Sequence, residues 1–169
     1  MNHLLVTPLL LLSLCSLFIS PAAMSSTSMT GATVSYKVDG LSADAQIIVD
    51  EYGVPHIYAD DHYDVFFVQG FNAARDRLWQ IDLWKRRGLG QLAEILGEQH
   101  VAQDKAARLF VYRGDMYAEW LAYGNDAKRI TESFTAGINA FIAVAKANPE
   151  LLPIEFDMLG YAPSMWSAD

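Results

Sequence analysis

The chain has 169 residues, of which 52% are hydrophobic and 12% aromatic. This is enough for one domain with a buried core, and it argues against disorder. The chain carries 20 acidic against 12 basic residues, a formal net charge of −8. Nucleic acid is disfavoured as a partner, because binding it requires clustered Lys and Arg to neutralise phosphates.

The first 23 residues contain no Asp, Glu, Lys or Arg. Their apolar run ends in a Pro-Ala-Ala sequence (21–23), whose small residues suit a signal peptidase. An alternative is a membrane anchor over residues 4–20, but this run is shorter than the ~20 residues of a bilayer span and contains Pro8. We predict a signal peptide over residues 1–23 and a periplasmic or secreted protein.

Cys15 is the only cysteine and lies inside this apolar run. It would be the modified residue of a lipoprotein, an alternative disfavoured because the preceding Leu14 is large where a small residue is usual. If cleavage occurs near Ala23, the mature chain has no thiol. Disulfides and cysteine metal sites are then not expected.

Residues 24–35 are rich in Ser and Thr and predict a flexible linker or a loosely attached first strand. The domain proper is predicted over residues 36–169. Alternation from Val34 to Val38 favours an edge strand. The apolar runs 47–49 and 54–58, joined by a turn at Gly53, predict a hairpin.

Three helices are predicted. The first begins near Asp60 or Asp61, either of which can cap it, and runs towards Arg87. Gly70 lies inside it, which predicts a close approach of another backbone there. Its apolar stripe comprises Phe67, Phe71, Ala74, Leu78 and Ile81.

The second predicted helix, residues 104–121, is interrupted by Gly114. The third has a continuous apolar stripe from Ile130 to Ala145 and is stopped by Pro149. The tail after residue 150 has irregularly spaced Pro and Gly, which predicts an extended loop.

Several short motifs occur together in one order along the chain. They resemble the start of the penicillin acylase (penicillin amidase) family of N-terminal-nucleophile hydrolases. The matching residues are Gly53-Val54-Pro55-His56-Ile57, Gly70, Ala74 to Gln80, Arg86-Arg87, Gly90, Ala93-Glu94, Gly97, Asp104, Gly137 to Ala140, Leu159 to Pro163 and Trp166.

The resemblance implies an α+β fold, here the helix-rich N-terminal part of a four-layer αββα hydrolase. It implies an amidohydrolase matured from a precursor, in which a serine at the start of a β chain attacks an amide carbonyl and its own α-amine takes the proton. Implied substrates are small N-acyl amides such as penicillins or N-acyl homoserine lactones. Some members bind a structural calcium.

The matched residues belong to the family's α segment and stop before its catalytic chain. We therefore expect the nucleophile on a β chain beyond Asp169, which is the implied partner in a heterodimer. No catalytic, substrate-binding or metal-binding residue carries over by position, and the chain alone is expected to be inactive. Two alternatives stay open: a truncated, non-catalytic envelope protein that only binds a partner, and a membrane-associated helical protein.

Two groups of residues could carry chemistry within the chain itself. Cleavage after Met24 would give Ser25 a free α-amine, but a serine in a mobile segment lacks the fixed geometry that catalysis requires. Asp76 and Arg77 could lie in a substrate cleft. We interpret them instead as a buried ion pair that joins helices.

The side chains with metal-ligand chemistry cluster between residues 56 and 64. A metal site needs several of them to converge, whereas helix capping explains the carboxylates without a metal, and we favour capping. The cluster comprises His56, Asp60, Asp61, His62 and Asp64.

An aromatic group could form a binding face; it comprises Tyr112, Tyr117, Trp120 and Tyr123. We interpret Tyr117 and Trp120, like Trp79 and Trp84, as core or subunit-contact residues. Gly88 and Gly90 do not form a dinucleotide motif, because the third glycine and the preceding strand are lacking.

Overall fold

The computed structural model describes residues 2–8 and 31–169. The fold is α+β, with a small sheet and a larger number of helices. The chain forms two compact units, Met1–Val65 and Phe66–Asp169, which are taken in turn.

The first unit contains a four-stranded sheet with the order β2-β1-β3-β4. Strand β1 is antiparallel to β2 and parallel to β3, and β3 is antiparallel to β4. The strands are β1 (Asn2–Pro8), β2 (Val34–Val38), β3 (Ala45–Val49) and β4 (Pro55–Tyr58).

Both strand predictions are confirmed. Strand β2 lies at an edge of the sheet, and β3 and β4 form the predicted hairpin. Gly53 has φ of +78°, a left-handed conformation that favours glycine. Asp50 fixes the same turn, since its Oδ1 accepts hydrogen bonds from Tyr52 N at 2.9 Å and Val54 N at 2.8 Å.

Strand β1 falls inside the predicted signal peptide, whose cleavage stays a prediction. Residues 9–30, which include Cys15 and Ser25, lie outside the described residues. Val34 and Ser35, at the end of the segment predicted as a linker or a loosely attached first strand, belong to β2, where they pair with β1.

Six helices and two 3₁₀ turns follow, and among the described residues none of the helices is long and apolar enough to span a membrane. The helices are α1 (His62–Leu89), α2 (Ala93–Leu96), α3 (Val101–Phe110), α4 (Met116–Ala122), α5 (Ala127–Ala147) and α6 (Ile154–Leu159), and the 3₁₀ turns are Glu98–His100 and Pro149–Leu151.

The long helix α1 is capped by Asp61, as predicted, and is kinked at Arg77, where φ is −143° and ψ is 27°. The second predicted helix is two helices, α3 and α4, separated around Gly114. The third, α5, ends at Ala147 before Pro149, as predicted.

The prediction of an extended tail is wrong for residues 151–159, which contain the end of a 3₁₀ turn and α6. Helix α6 buries the side chain of Phe156, whose ring packs on Tyr161 with the ring centroids 5.0 Å apart. Gly160 ends the helix in a left-handed conformation.

Helices α1 and α5 of the second unit pack closely through two glycines. A Cβ on Gly70 would lie 1.9 Å from the carbonyl oxygen of Phe134, and one on Gly137 would lie 1.8 Å from that of Phe67. The close approach predicted at Gly70 is therefore confirmed. The buried core beside it consists of Phe67, Val68, Phe71, Ala74, Leu78, Ile138, Phe141, Ile142 and Ala145.

Replacing Gly70 by Ala is expected to lower the free energy of unfolding by about 1–3 kcal/mol, because the helices must move apart. The matched control is Gly88→Ala in the same helix, where an added Cβ meets no atom within 4 Å. That change should stabilise the chain by up to ~1 kcal/mol. Urea denaturation measures both, and equal effects would contradict the close packing.

Candidate functional site

The most strongly charged buried group of the second unit surrounds Asp82 in α1. This carboxylate is fully buried. It lies 2.8 Å from Arg86 Nε and 3.3 Å from Lys85 Nζ. The i+4 and i+3 spacing on one helix places both cations beside it. A buried charge of this kind is stable only when it is paired.

Arg86 extends the group to other elements. Its NH1 lies 3.1 Å from Glu94 Oε2 in α2, and its guanidinium lies over the ring of Tyr161, 4.9 Å from the centroid. One arginine therefore links the end of α1 to α2 and to the segment after α6.

The pKa values follow from this burial and pairing. Burial alone would lower the pKa of Arg86, but hydrogen bonding and attraction to Asp82 raise it. Burial lowers the pKa of Lys85 despite the nearby Asp82. Burial, followed by the charge of Asp82, raises the pKa of Tyr161 to about 12. Tyr161 is therefore neutral at physiological pH and offers no phenolate base.

The C-terminal segment is held by two further side chains. Lys85 Nζ donates to Ser164 Oγ at 2.7 Å and lies over the Trp166 ring, 5.0 Å from its centroid. Asn139 of α5 accepts from Trp166 N at 2.8 Å and donates to Trp166 O at 3.0 Å. The extended residues after Gly160 are thus fixed to α1 and α5.

Asp104 of α3 fixes the turn after α1. Its two carboxylate oxygens accept from Leu92 N at 3.0 Å and Ala93 N at 2.7 Å, at the start of α2. Gly90 allows this approach, since it has φ of +65° and a Cβ there would lie 2.5 Å from Asp104 O. The Gly90, Ala93 and Asp104 motif residues are therefore structural.

An open groove of about 770 Å³ lies beside this cluster. It is mainly apolar, and Lys85 contributes a cation to its wall. Trp84 and Met165 are 65% and 56% exposed at its rim. The lining residues include Ile81, Trp84, Lys85, Leu89, Met165 and Trp166. The groove can contact an apolar partner, and the paired Lys85 and Ser164 are the polar contact in its wall.

The interpretation of Asp76 and Arg77 as a buried ion pair is wrong. Both residues are exposed, and Arg77 lies at the kink of α1. Asp76 pairs instead with Arg75 Nε at 2.8 Å and accepts from Asn72 Nδ2 at 3.1 Å. The buried pair is formed by Asp82 and Arg86, which sequence reasoning missed although their i+4 spacing is visible.

The side chains of the suggested metal cluster make separate structural contacts. One of them, Asp61, caps α1, so the capping prediction is confirmed for this residue. His56 Nε2 lies 3.1 Å from Asp50 Oδ2, and Asp61 Oδ1 accepts from Tyr63 N at 2.7 Å. Asp64 is buried and accepts from Ser42 Oγ at 2.6 Å. Within residues 2–8 and 31–169, no three His, Cys, Asp or Glu side chains are grouped to hold a metal ion.

The aromatic group around α4 is mostly on the surface. Tyr112, Tyr117 and Tyr123 are all more than half exposed, and so is Trp84 of α1. The core interpretation is therefore wrong for Tyr117 and Trp84. Trp120 is half-buried, and its Nε1 donates to Asp169 Oδ1 at 2.7 Å. The alternative of subunit contact stays a prediction.

Comparison with known proteins is consistent with this geometry. The family model described as penicillin amidase matches residues 44–169. The chain is 36% identical over 126 residues to penicillin G acylase of Escherichia coli, which covers 74% of this chain and 15% of that protein. It is 36% identical over 132 residues to penicillin acylase 2 proenzyme of Pseudomonas sp. (strain SE83), 78% of this chain and 16% of that protein.

More distant relatives include the acyl-homoserine lactone acylase QuiP of Pseudomonas fluorescens, 26% identical over 130 residues, 77% of this chain and 16% of that protein. Among solved structures, a thermostable penicillin G acylase from Alcaligenes faecalis matches with a TM-score of 0.67 and 30% identity. This match covers 73% of the present chain and 66% of the chain of the Alcaligenes faecalis enzyme.

The fold and the matched residues define the family of the chain, whose named relatives are acylases. The chain belongs to the penicillin amidase family, and the predicted α+β class and its place in that fold are confirmed. The chain spans about 15% of the length of the curated relatives that it matches.

Replacing Asp82 by Asn should lower the free energy of unfolding by about 3–5 kcal/mol, because Arg86 and Lys85 lose a buried partner. Asp76→Asn is the matched control on the exposed part of the helix and should cost less than ~1 kcal/mol. Chemical denaturation measures both. Similar losses in the two variants would contradict the buried network.

The raised pKa of Tyr161 predicts a pH effect on stability. Because the folded pKa is above the ordinary value of 10.0, the contribution of Tyr161 is fully present below pH 10 and is lost between about pH 10 and 12. Melting temperatures of wild type and Tyr161→Phe across this range test it. As pH rises, the melting temperature of wild type should fall relative to that of Tyr161→Phe. A constant difference between the two would refute the prediction.

Proposed function

We propose that this chain is the N-terminal portion of the α segment of an exported acylase that hydrolyses N-acyl amides. The observation that carries the proposal is the unbroken family match over residues 44–169, with 36% identity to penicillin G acylase. The more similar relatives are named penicillin acylases, which favours a penicillin-type substrate over an acyl-homoserine lactone.

The nucleophile of the complete enzyme would be the serine at the start of a β chain outside this sequence. Its Oγ attacks the amide carbonyl while its α-amine accepts the proton. Hydrogen-bond donors stabilise the oxyanion, the amine leaves with a proton, and water hydrolyses the acyl-enzyme. A relative described as a proenzyme supports maturation of a precursor into two chains.

This chain would contribute structure rather than reacting groups. The buried Asp82 is paired with two cations. Tyr161 keeps its proton at neutral pH and is not available there as a phenolate base. The paired helices α1 and α5 would support the sheet that carries the serine. Rigid support matters, because nucleophilic catalysis depends on fixed orientation.

Location and calcium are further parts of the proposal. The apolar N-terminal residues support export to the periplasm or beyond it. The described residues do not fit the calcium site implied by the resemblance, since they contain no suitable group of ligands. Any calcium would be bound by other parts of the enzyme.

A chimera tests this function. Residues 44–169 replace the matching segment of Escherichia coli penicillin G acylase, and release of amine from a chromogenic N-acyl amide is measured. We expect processed, active enzyme, because the two segments share their fold. Replacing the first serine of the β chain by Ala is the control and should abolish activity.

The chain of residues 1–169 alone should release no amine under the same conditions. Amide hydrolysis by the isolated chain would overturn the proposal. A chimera that is folded and processed but inactive would also overturn it, and would favour a non-catalytic protein that only binds a partner.

A further inference from the structure

Three buried polar atoms around α1 have no hydrogen-bond partner among the described residues. They are the indole Nε1 of Trp79, the carboxylate Oδ1 of Asp82 and the phenol oxygen of Tyr161. We call these three atoms the buried polar cluster. Nearly all buried polar atoms in folded proteins bond to a protein group or to an ordered water molecule, so the cluster needs an explanation.

The three side chains lie beside one another. Trp79 and Asp82 are three residues apart in α1, which places them on the same side of the helix. The ring of Tyr161 lies under the guanidinium of Arg86, whose Nε is 2.8 Å from Asp82 Oδ2. Burial raises the pKa of Tyr161 most, the charge of Asp82 raises it further, and the indole of Trp79 lowers it. Both groups are therefore close to the phenol, although neither forms a hydrogen bond with it.

The protein contacts of Asp82 leave one of its oxygens unsatisfied. Oδ2 accepts a hydrogen bond from Arg86 Nε at 2.8 Å. Lys85 Nζ lies 3.3 Å from Oδ1 as an ion pair, without the geometry of a hydrogen bond. Because Asp82 has no exposed surface, bulk water does not reach this oxygen. A buried polar atom that loses its hydration without gaining a partner is destabilising.

The chemistry of the three atoms defines the group that would satisfy them. The Trp79 indole N–H only donates, the ionised carboxylate of Asp82 only accepts, and the Tyr161 hydroxyl does both. A metal cation does not suit the N–H donor, and an anion does not suit the carboxylate. The ligand must be small and neutral and must both accept and donate. Water has these properties, and a buried water molecule typically makes about three hydrogen bonds.

We propose that the buried polar cluster binds one internal water molecule. This water accepts hydrogen bonds from Trp79 Nε1 and from the Tyr161 hydroxyl, and it donates one to Asp82 Oδ1. It joins α1 to the segment after α6, next to the contact between Arg86 and the Tyr161 ring. An internal water of this kind is a fixed part of a structure. The site belongs to the second unit alone and is independent of the proposed acylase function.

A crystal structure of the full chain, at a resolution that shows ordered water, tests the site directly. One density peak should lie within hydrogen-bonding distance, about 2.6–3.2 Å, of all three atoms of the cluster. Absence of that peak would overturn the proposal. Occupation of the position by a protein side chain would also overturn it.

Nuclear magnetic resonance tests the same water in solution. A rotating-frame Overhauser experiment on the full chain should show a cross-peak between water and the Trp79 indole proton, with the sign of a dipolar contact. Loss of the peak in Trp79→Phe assigns it. Trp84 of the same helix is exposed and is the matched control. Its indole proton should show only the weak cross-peak of rapidly exchanging surface water, and equal peaks at the two indoles would contradict an internal water.

Removal of two of the three groups should release the water. In Trp79→Phe/Tyr161→Phe only Asp82 remains, so oxygen-17 relaxation dispersion should detect one long-lived water molecule fewer than in wild type. The control variant Trp84→Phe/Tyr117→Phe loses an indole and a phenol from exposed positions and should keep the wild-type number. Circular dichroism shows whether each variant is folded. An unchanged number in the folded test variant would overturn the proposal, and if that variant does not fold, the two wild-type experiments decide.

Discussion

The second unit depends on one buried carboxylate. Asp82 has no exposed surface, and two cations of the same helix neutralise it. Each of these cations then contacts another part of the chain: Arg86 reaches Glu94 and Tyr161, and Lys85 reaches the C-terminal segment. Because a buried charge cannot be left unpaired, its requirement for partners fixes the relative positions of these elements.

Two other buried carboxylates act in the same way. Asp64 accepts three hydrogen bonds from the connection between β2 and β3, and Asp104 caps α2 through two backbone N–H groups. Each joins elements more than ten residues apart in sequence. All three carboxylates have protein partners: Asp82 pairs with Arg86 and Lys85, and Asp64 and Asp104 accept backbone hydrogen bonds. Their shared role in the described residues is to hold elements together.

The structural features that depend on local sequence patterns were predicted correctly. The hairpin at Gly53, the close approach at Gly70 and the end of α5 follow from turn chemistry, helix propensity and proline. The predictions from the sequence were wrong where tertiary contacts determine the structure. Asp76 and Arg77 are exposed and the buried pair is Asp82 and Arg86, so the ion pair was assigned to the wrong residues. Helix α6 forms where the side chain of Phe156 is buried. The family resemblance was visible in the sequence, since several short motifs occur in one order along most of the chain.

A double-mutant cycle on Asp82 and Arg86 measures the central interaction most directly. The free energies of unfolding of wild type, Asp82→Asn, Arg86→Gln and the double variant give the coupling between the two side chains. If the buried pair organises this unit, the coupling should be about 1–3 kcal/mol in favour of the pair. A coupling within error of zero would mean that the two residues act independently, and would contradict this account.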